Sequence, residues 1–373
     1  MIYKTRLPKP DYLLLATIGA LVIFGSVMVF SSSAILAGNR LGDPFYYLKR
    51  HLMFLAMGCT LGYVASFVNP EFWRKRWFYI YSFTIVLLGL TLVLGRRIGG
   101  ARRWFYMGPI GFQTSELAKF VLVISLARYI DRYHSKLSSF LHGIVYPVAL
   151  YMPIAGLILL EPDFGNPFVM GLIFVSLLLV SPISWSYLLV YPAAAMPAIG
   201  LLIFKASYRL TRLFTFIRLW RGAPGSVSVD QGAAYQISQA LLALGSGGLF
   251  GKGLGDSELK LHYLPQPHTD FIFPIIGEEL GFIGSVAVIA LFTFLAIRGI
   301  RVALMCDKLF EKLLALGITF CFVFQAAIHM AVTTALAPTK GITLPFLSYG
   351  GSSLLISCVM AGVLIRLSRI KKI

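Results

Sequence analysis

Charged side chains are scarce in this chain, and acidic side chains are the scarcest. Aspartate and glutamate account for only 15 of 373 residues, and all charged residues together for 13%. A soluble globular domain carries about 25% charged residues. With 58% hydrophobic residues and a mean hydropathy of +0.80, the composition excludes a water-soluble domain and predicts an integral membrane protein.

Cysteines and cofactor motifs are also few. The four cysteines are scattered and show neither paired nor metal-ligand spacing: Cys59, Cys306, Cys321 and Cys358. This excludes a disulfide framework and a cysteine-ligated zinc site. The chain has no CxxC, HExxH, P-loop or dinucleotide-binding pattern. We therefore predict no metal ligands and no cofactor, although the sequence leaves a requirement for a divalent metal open.

Ten apolar segments approach the ~20 residues needed to cross a bilayer. They lie at residues 11–32, 50–69, 77–95, 115–131, 141–160, 166–182, 184–205, 271–297, 313–334 and 350–367. The sequence therefore predicts an all-α integral membrane protein of about ten transmembrane helices in one domain, residues 1–373. The first segment is too long for the apolar core of a signal peptide, so we expect it to be retained as an anchor.

Lysine and arginine near the span ends indicate the orientation. Both termini and the connections after the even-numbered spans are basic. The opposite side has nearly as many basic residues, but they are concentrated at 96–103 and in the long loop at 206–270. Because long loops are weak evidence for orientation, we predict cytoplasmic termini and an extracytoplasmic loop between spans 7 and 8.

The basic stretch after span 3 has two interpretations. It combines four arginines with three aromatic residues: Arg96, Arg97, Arg102, Arg103, Trp104, Phe105 and Tyr106. Aromatic rings at this level are typical of an interfacial anchor. Guanidinium groups, in contrast, hold phosphate oxygens by paired hydrogen bonds. An anchor explains four outward-facing arginines less well than an anionic ligand does.

The 206–270 loop is long for a structureless connector, which favours a function. Within it, residues 230–249 have an apolar face at helical spacing, and we expect this helix to lie along the membrane surface or to dip into it. Basic residues near both ends of the loop would attract a diphosphate group or an anionic lipid. The net charge of +18 is divided between both membrane faces, so nucleic acid is not an expected partner.

Charged residues also open the fourth span. Thr114 or Ser115 can cap this helix, and Glu116 suits its positive end. Glu116 and Lys119 are three residues apart and therefore lie on one helix face. They form an internal ion pair, or Lys119 faces a polar cavity and meets a substrate phosphate, and the residues alone leave both readings open.

Asp270 stands at the mouth of the eighth span, and Glu278 and Glu279 follow inside it. A carboxylate near hydrocarbon is costly and is by default a functional hypothesis. Pro274 is tolerated only near a helix start, so Thr269 or Asp270 is expected at the N-cap. An N-cap aspartate is favoured in its charged form, whereas a general base usually has a raised pKa. Both roles stay open at this point.

Several motifs occur in a fixed order along the chain, at residues 100–104, 113–119, 161–165, 268–273, 277–281 and 338–353. In these motifs the chain resembles, over essentially its whole length, the SEDS family of polytopic peptidoglycan glycosyltransferases. Residues 253–257, 260–265 and 338–341 look more like the division-type branch, FtsW, than the elongation-type branch, RodA. Gln266 and His329 depart from the family pattern, which leaves the substrate contacts at these two positions unassigned.

The resemblance implies polymerisation of lipid II, with a glycan strand on undecaprenyl diphosphate as donor and an incoming lipid II sugar as acceptor. It implies that Asp270 is the catalytic carboxylate. Substrate-binding roles are implied for Lys119, Glu116, Arg102, Arg103, Trp104, His268, Thr269, Glu278, Glu279, Ser348 and Ser352. The implied partners are a class B penicillin-binding protein, which is a transpeptidase, and other division proteins. The implied location is the bacterial inner membrane at the division septum.

Two other classes of function are compatible with the residues. Intramembrane Glu116, Lys119, Glu278 and Glu279 would also suit a transporter that moves lipid II across the bilayer. Such transporters are typically built from inverted repeats, and no convincing internal repeat is present in this sequence. The third class is a division scaffold whose activity belongs to a partner.

Overall fold

The computed structural model describes residues 9–98, 101–107, 110–204, 210–212, 214, 216–217, 233–258 and 267–369. The first half comprises α1 (Tyr12–Leu41), α2 (Tyr46–Ala65), α3 (Pro70–Leu94), β1 (Arg96–Ile98), β2 (Ala101–Met107), β3 (Ile110–Gln113) and α4 (Thr114–Tyr133). A 3₁₀ turn (His134–Lys136) and a π-helical turn (Leu141–Val145) lead into α5 (Tyr146–Leu160). Then follow α6 (Gly165–Leu179), α7 (Trp185–Phe204), α8 (Ala233–Ser246), α9 (Ile272–Met305), α10 (Leu309–Thr333) and α11 (Gly351–Ser368).

Each of the ten predicted apolar segments overlaps one of these helices. Six helical segments are long and apolar enough to cross a membrane: Tyr12–Leu41, Pro70–Leu94, Leu141–Leu160, Ile272–Met305, Leu309–Thr333 and Gly351–Ser368. The apolar helix α6 is shorter, at 15 residues. The chain is therefore a multi-pass membrane protein by the length and composition of its described helices.

Polar residues fix the starts of α1 and α3. The Asp11 carboxylate accepts hydrogen bonds from the backbone N–H groups of Leu13 and Leu14, each at 3.1 Å. Asn69 accepts one from the N–H of Glu71 at 3.0 Å, and Pro70 follows it in the first turn. Proline is favoured at this position because its missing N–H would have no partner there.

One end of the bundle brings together the start of α1 and the end of α11. The Arg298 Nε lies 3.0 Å from the Asp11 carboxylate, and the Asp11 N–H donates to the Ser368 hydroxyl at 3.1 Å. At the same level, Arg74 of α3 binds Asp131 of α4 at 2.9 Å. The starts of α1 and α3 therefore lie with the ends of α4, α9 and α11, which is the arrangement that the basic connections predict.

The predicted all-α fold omits one element, a three-stranded antiparallel sheet of order β1-β2-β3 between α3 and α4. Trp104 pairs with Gln113 and Phe105 with Phe112 across the last two strands. Aromatic residues favour a pleated surface, and the run of aromatic residues after Arg103 supplies it. A strand of seven residues is too short to be detected by a search for membrane-spanning helices, so the sheet was not predicted.

Two predicted helix caps are wrong. α9 begins at Ile272 after the N-cap residue Phe271, which makes no side-chain cap bond. Asp270 and Thr269 therefore lie in the preceding turn. This excludes the N-cap role for Asp270 and leaves the general-base role. α4 begins at Thr114 itself because β3 runs directly into it, and no side chain caps this helix.

The amphipathic segment predicted within the long loop forms α8, which is confirmed for residues 233–246. Its Leu244 side chain packs against Gly277 of α9, where an added Cβ would lie 2.5 Å from Leu244. α9 itself is broken at Gly281, whose φ of 68° and ψ of −162° are not helical. The backbone of Gly251 approaches so closely that a Cβ on Gly281 would lie 2.4 Å from the Gly251 nitrogen.

Helices α2 and α11 pack backbone against backbone. A Cβ on Gly362 would lie 2.0 Å from the carbonyl oxygen of Gly62, and a Cβ on Gly62 would lie 2.5 Å from that of Cys358. Small residues at such crossings let membrane helices approach closely. Close packing then stabilises the helix pair, because the hydrophobic effect does not drive helices together in lipid.

We expect Gly362→Ala to destabilise the protein. The new methyl group must push the two backbones apart, and overpacking of this kind costs about 1–3 kcal/mol. Thermal unfolding in detergent measures the effect as a lower melting temperature. Gly89→Ala in α3 is the matched control, because an added Cβ there meets no atom within 4 Å, so its melting temperature should stay the same or rise. Equal melting temperatures for the two variants would contradict the packing argument.

Candidate active site

Asp270 ends a short turn, residues 267–270, just before α9. It is partly buried, and the loop between α10 and α11 closes over it. A Cβ on Gly341 of this loop would lie 2.8 Å from the Asp270 Oδ2. Any larger residue at this position would therefore displace the carboxylate. The acid that the sequence singled out stands in a shaped site that two separate segments build.

Charges from three further segments act on Asp270. Burial raises the pKa of this carboxyl to about 6, the positive charges of Arg103 and Arg212 oppose the rise, and Asp163 adds to it. Arg103 lies on β2, Asp163 lies between α5 and α6, and Arg212 follows α7. A carboxyl group with a pKa near 6 is largely ionised at neutral pH and can still accept a proton efficiently.

Two arginines predicted to bind substrate are held by backbone carbonyl groups. Arg103 donates from Nε to the Glu161 carbonyl at 3.2 Å and from Nη2 to the Pro162 carbonyl. Arg102 donates to the carbonyls of Leu92 and Val93 at 3.0 and 2.8 Å. Arg102 thus satisfies the free carbonyls at the end of α3. Of the two, Arg103 is the one whose charge reaches Asp270.

Two more cations border the loop that covers Asp270. The Arg212 guanidinium donates to the Thr339 carbonyl at 3.1 Å. Lys340, the neighbour of Gly341, donates to the Phe164 carbonyl at 3.3 Å. We call Arg103, Arg212 and Lys340 the basic shelf. Trp104, also predicted to bind substrate, lies half-buried on the strand that carries Arg103.

Lys119 is fully buried, and its ammonium group has two partners. It lies 2.9 Å from the Glu116 carboxylate and 2.6 Å from the Gln325 side-chain oxygen. Gln325 passes the connection on by donating to the carbonyl of Thr343 at 2.9 Å. Thr343 then donates to the Ser353 hydroxyl at 3.0 Å. The ion pair left open by the sequence is present, and it holds the loop that carries Gly341.

The predicted residues around Asp270 mainly shape the turn. Ser348 donates to the Thr269 carbonyl at 2.6 Å, and the N–H of Tyr349 donates to the His268 carbonyl at 2.8 Å. The His268 ring is buried against Tyr47, with 4.4 Å between the ring centroids. Burial lowers the pKa of His268 to about 4, so the ring is neutral at pH 7.

Three other predicted residues have partners elsewhere. Ser352 joins α11 to the sheet, because its hydroxyl accepts from the Gln113 N–H at 2.8 Å. Glu278 accepts from Lys252 at 3.1 Å and from the Ser257 hydroxyl. Glu279 accepts from the Ser31 hydroxyl of α1 at 2.7 Å. The two glutamates therefore fasten α9 to the end of the long loop and to α1.

Glu161 belongs to the motif at 161–165, but no role was predicted for it from the sequence. Both carboxylate oxygens of Glu161 are buried without a hydrogen-bond partner in the described structure, and so is the Thr114 hydroxyl. Burial raises the pKa of Glu161 to about 8, Asp163 contributes, and Arg103 opposes the shift. Asp163 is held by Asn166 at 2.8 Å. The motif at 161–165 could have pointed to Glu161. Its composition, however, fits a structural turn as well as a functional site.

The remaining predictions concern Gln266, His329, the 206–270 loop and metal ligands. Gln266 and residues 206–209, 213, 215, 218–232 and 259–265 of the 206–270 loop lie outside the described residues. His329, the other departure from the family pattern, contacts the Ile342 carbonyl through Nδ1 at 2.7 Å. Among the described residues, no group of three or more His, Cys, Asp or Glu side chains has the geometry to hold a metal ion.

The sequence of this chain is similar to those of known proteins. The family model for cell cycle proteins of the FtsW, RodA and SpoVE type matches residues 11–373. A protein of Coxiella burnetii described as a probable peptidoglycan glycosyltransferase FtsW is 40% identical, over 94% of this chain and 93% of its own length. A protein of Legionella pneumophila with the same description is 36% identical, over 96% of this chain and 90% of its own.

Solved structures have the same fold. A chain from a peptidoglycan synthase complex that coordinates polymerization and crosslinking is 27% identical and superposes with a TM-score of 0.78, covering 96% of this chain and 98% of that chain. The rod shape determining protein RodA of Thermus thermophilus is 29% identical with a TM-score of 0.72, covering 97% of each chain. On this match over nearly its whole length, the chain belongs to the FtsW/RodA/SpoVE family of cell cycle proteins, the SEDS family.

Proposed function

We propose that this chain is a peptidoglycan glycosyltransferase that polymerises lipid II during bacterial cell division. Its relatives described as probable peptidoglycan glycosyltransferases match it over more than 90% of both chains. The observation that carries the proposal is the partly buried Asp270 carboxylate, which lies beneath Gly341 and within the field of Arg103 and Arg212.

In the proposed reaction, the 4-hydroxyl of an incoming lipid II sugar attacks the anomeric carbon of the strand carried on undecaprenyl diphosphate. The new bond joins the hydroxyl oxygen to the anomeric carbon, and the bond from that carbon to the diphosphate oxygen breaks. Asp270 accepts the hydroxyl proton. The basic shelf stabilises the departing diphosphate, because preorganised cations aimed at developing negative charge lower the barrier.

The membrane arrangement is part of the proposal. Ten spans are supported by the ten helices that overlap the predicted segments, and cytoplasmic termini follow from the basic residues at that end. Asp270 then faces outward, where the lipid-linked sugars are polymerised. The division branch and a septal location are supported by relatives described as FtsW at 36–40% identity. The RodA structure, at 29% identity, favours the elongation branch as the second candidate.

A direct experiment separates the enzyme from a transporter or a scaffold. The purified full-length chain is supplied with lipid II in detergent, and glycan strands are resolved by gel electrophoresis, with and without a transpeptidase partner. Strands of many disaccharides are expected. Their absence under both conditions, with the protein still folded, would exclude polymerisation as its activity.

We expect Asp270→Asn to abolish polymerisation while the protein remains folded in the membrane. A positioned general base contributes about 10²–10⁴-fold, and asparagine keeps the shape but cannot take the proton. Strand synthesis and thermal unfolding are measured on the same preparation. Asp256→Asn is the matched control because Asp256 is exposed, and its activity should equal that of the wild type. Near-normal polymer from Asp270→Asn would refute the catalytic assignment.

The same assignment sets the pH dependence. Because the pKa of Asp270 is about 6, the ionised form prevails above that pH and is lost below it. The polymerisation rate of the wild type should therefore rise through pH 6 and level off above it. A rate that stays constant from pH 5 to 8 would argue against proton transfer to Asp270.

The buried pair of Glu116 and Lys119 should separate stability from activity. Removing one partner leaves an uncompensated buried charge, which costs about 3–5 kcal/mol. Lys119→Met should therefore lower the melting temperature, and the double variant Glu116→Gln with Lys119→Met should recover most of it. We expect polymerisation to stay impaired in the stable double variant, because Lys119 no longer binds Gln325, which holds the loop that covers Asp270. Recovery of activity together with stability would make the pair purely structural.

The proposed partner is a class B penicillin-binding protein, whose membrane anchor would contact the outer halves of α9 and α10. Large apolar residues on the outer half of α9 are exposed: Phe282, Ile283, Val286 and Ile289. The similarity to a chain from a peptidoglycan synthase complex supports this pairing. Other division proteins are further candidate partners.

We expect Val286→Trp to reduce co-purification of that transpeptidase with this chain, because the larger ring displaces the anchor. Val86→Trp on α3 is the control, since Val86 is also exposed to lipid, at 59% compared with 42% for Val286. Affinity purification of the co-expressed pair measures the ratio of the two proteins. Equal loss of the transpeptidase from both variants would place the contact elsewhere.

A further inference from the structure

A cavity of about 320 Å³ lies at the end of the bundle where α1 starts and α11 ends. It is bounded by α3, by the last turns of α4, and by the π-helical turn with the first turns of α5. Its basic lining residues are Arg128, Arg132 and His142, and its aromatic lining residues include Trp77, Tyr129 and Tyr146. None of the described residues that line it is acidic.

This cavity is remote from Asp270. α4 has 20 residues and therefore extends about 30 Å. Glu116 and Lys119 lie near the first end of α4, and the cavity lies at the other end. The ion pair of Arg74 with Asp131 marks the same end. The proposed polymerisation reaction makes no use of these residues.

The two arginines present unused hydrogen-bonding capacity. Arg128 and Arg132 are four residues apart and lie on one face of α4. The Arg128 Nη1 lies 3.0 Å from the Asp131 carboxylate, but its Nε is buried with no hydrogen-bond partner in the described structure. The Arg132 guanidinium is exposed and lies 5.4 Å from the centre of the Tyr133 ring.

Of the two cations, Arg128 has an acid beside it and Arg132 has none within the described residues. The Asp131 oxygen that contacts Arg128 also accepts from Arg74 at 2.9 Å, but Arg74 has a second acid in Glu71 at 3.0 Å, so the charge left over at the cavity is that of Arg132. His142 adds a ring nitrogen, and its ring centroid lies 5.2 Å from that of Tyr146. The cavity therefore has an excess of positive charge and donors suited to phosphate oxygens.

The lining changes from polar to apolar along α5. His142, Tyr146 and Leu150 are each four residues apart, so they lie on one helix face in the order imidazole, phenol and aliphatic side chain. A phospholipid presents the same order, with its phosphate at the interface and its acyl chains farther in. A soluble phosphate would use the polar part of the cavity only.

We propose that this cavity binds an anionic phospholipid from the leaflet on the side of the chain termini. Arg128 and Arg132 bind its phosphate, Trp77 and Tyr146 flank the headgroup, and an acyl chain follows α5 past Leu150. Arginine and aromatic residues at an interface are also typical of a non-specific anchor. A concave site lined by three helices favours a specific lipid over such an anchor.

The test uses the full-length protein in nanodiscs of phosphatidylcholine that contain a minor fraction of phosphatidylglycerol. After release into detergent, native mass spectrometry counts the lipids that stay bound. Wild-type protein should retain one phosphatidylglycerol in preference to phosphatidylcholine. Arg132→Gln should weaken this retention about fivefold, the effect of one arginine near an anionic surface, without removing an ion pair from the fold. Arg301→Gln, an exposed arginine at the same end but outside the cavity, is the control and should behave as wild type.

Two outcomes would overturn the proposal. Equal weakening by Arg132→Gln and Arg301→Gln would mean that the whole basic face attracts anionic lipid without a specific site. The second arm adds glycerol phosphate to protein in phosphatidylcholine alone and measures thermal unfolding. If glycerol phosphate stabilises the wild type but not Arg132→Gln, and phosphatidylglycerol is not retained, the cavity binds a soluble phosphate and not a lipid. Both measurements are independent of polymerisation, so they stay informative whatever the fate of the proposed activity.

Discussion

The end of the bundle that carries Asp270 depends on one interaction, the binding of the buried Lys119 ammonium group by its two partners. Moving an ion into an apolar interior costs several kcal/mol unless close partners compensate it. Here the partners are a carboxylate of the same helix and the Gln325 amide of α10. Because Gln325 also binds Thr343, the need to satisfy one charge fixes the position of an irregular loop. That loop in turn determines the space around Asp270.

The site around Asp270 is built largely from backbone groups. Arg103 is oriented by carbonyl groups between α5 and α6, Arg212 by the Thr339 carbonyl, and the turn before α9 by Ser348 and Tyr349. Irregular backbone inside a membrane protein is tolerated where it is buried in protein or lines a cavity. Several side chains that carry family motifs therefore act by placing a few charges near Asp270.

The helices were predictable because hydrocarbon demands long apolar runs, and each run found by its hydropathy overlaps a helix. Asp270 could be singled out because an acid near a membrane span is rare and costly, and its catalytic role stays a prediction. The β-sheet was not predictable, since a short aromatic strand has no periodicity that a search for spans detects. The two predicted caps were wrong because the backbone before each helix is fixed by other structure. A β-strand precedes Thr114, and a hydrogen-bonded turn precedes Phe271, so neither helix start depends on a capping side chain. Glu161 was missed because its electrostatic environment includes Thr114 and Arg103, which are more than 40 positions away in the sequence.

The raised pKa of Glu161 has a consequence for charge balance. With a pKa of about 8, this carboxyl group is mostly neutral at physiological pH. The cations at the site are Arg103 and Arg212, which act on Asp270, and Lys340 of the covering loop, against the carboxyl groups of Asp163 and Asp270. An ionised Glu161 would cancel this excess of one positive charge. By keeping its proton, Glu161 preserves the positive field that release of a diphosphate in the proposed reaction requires.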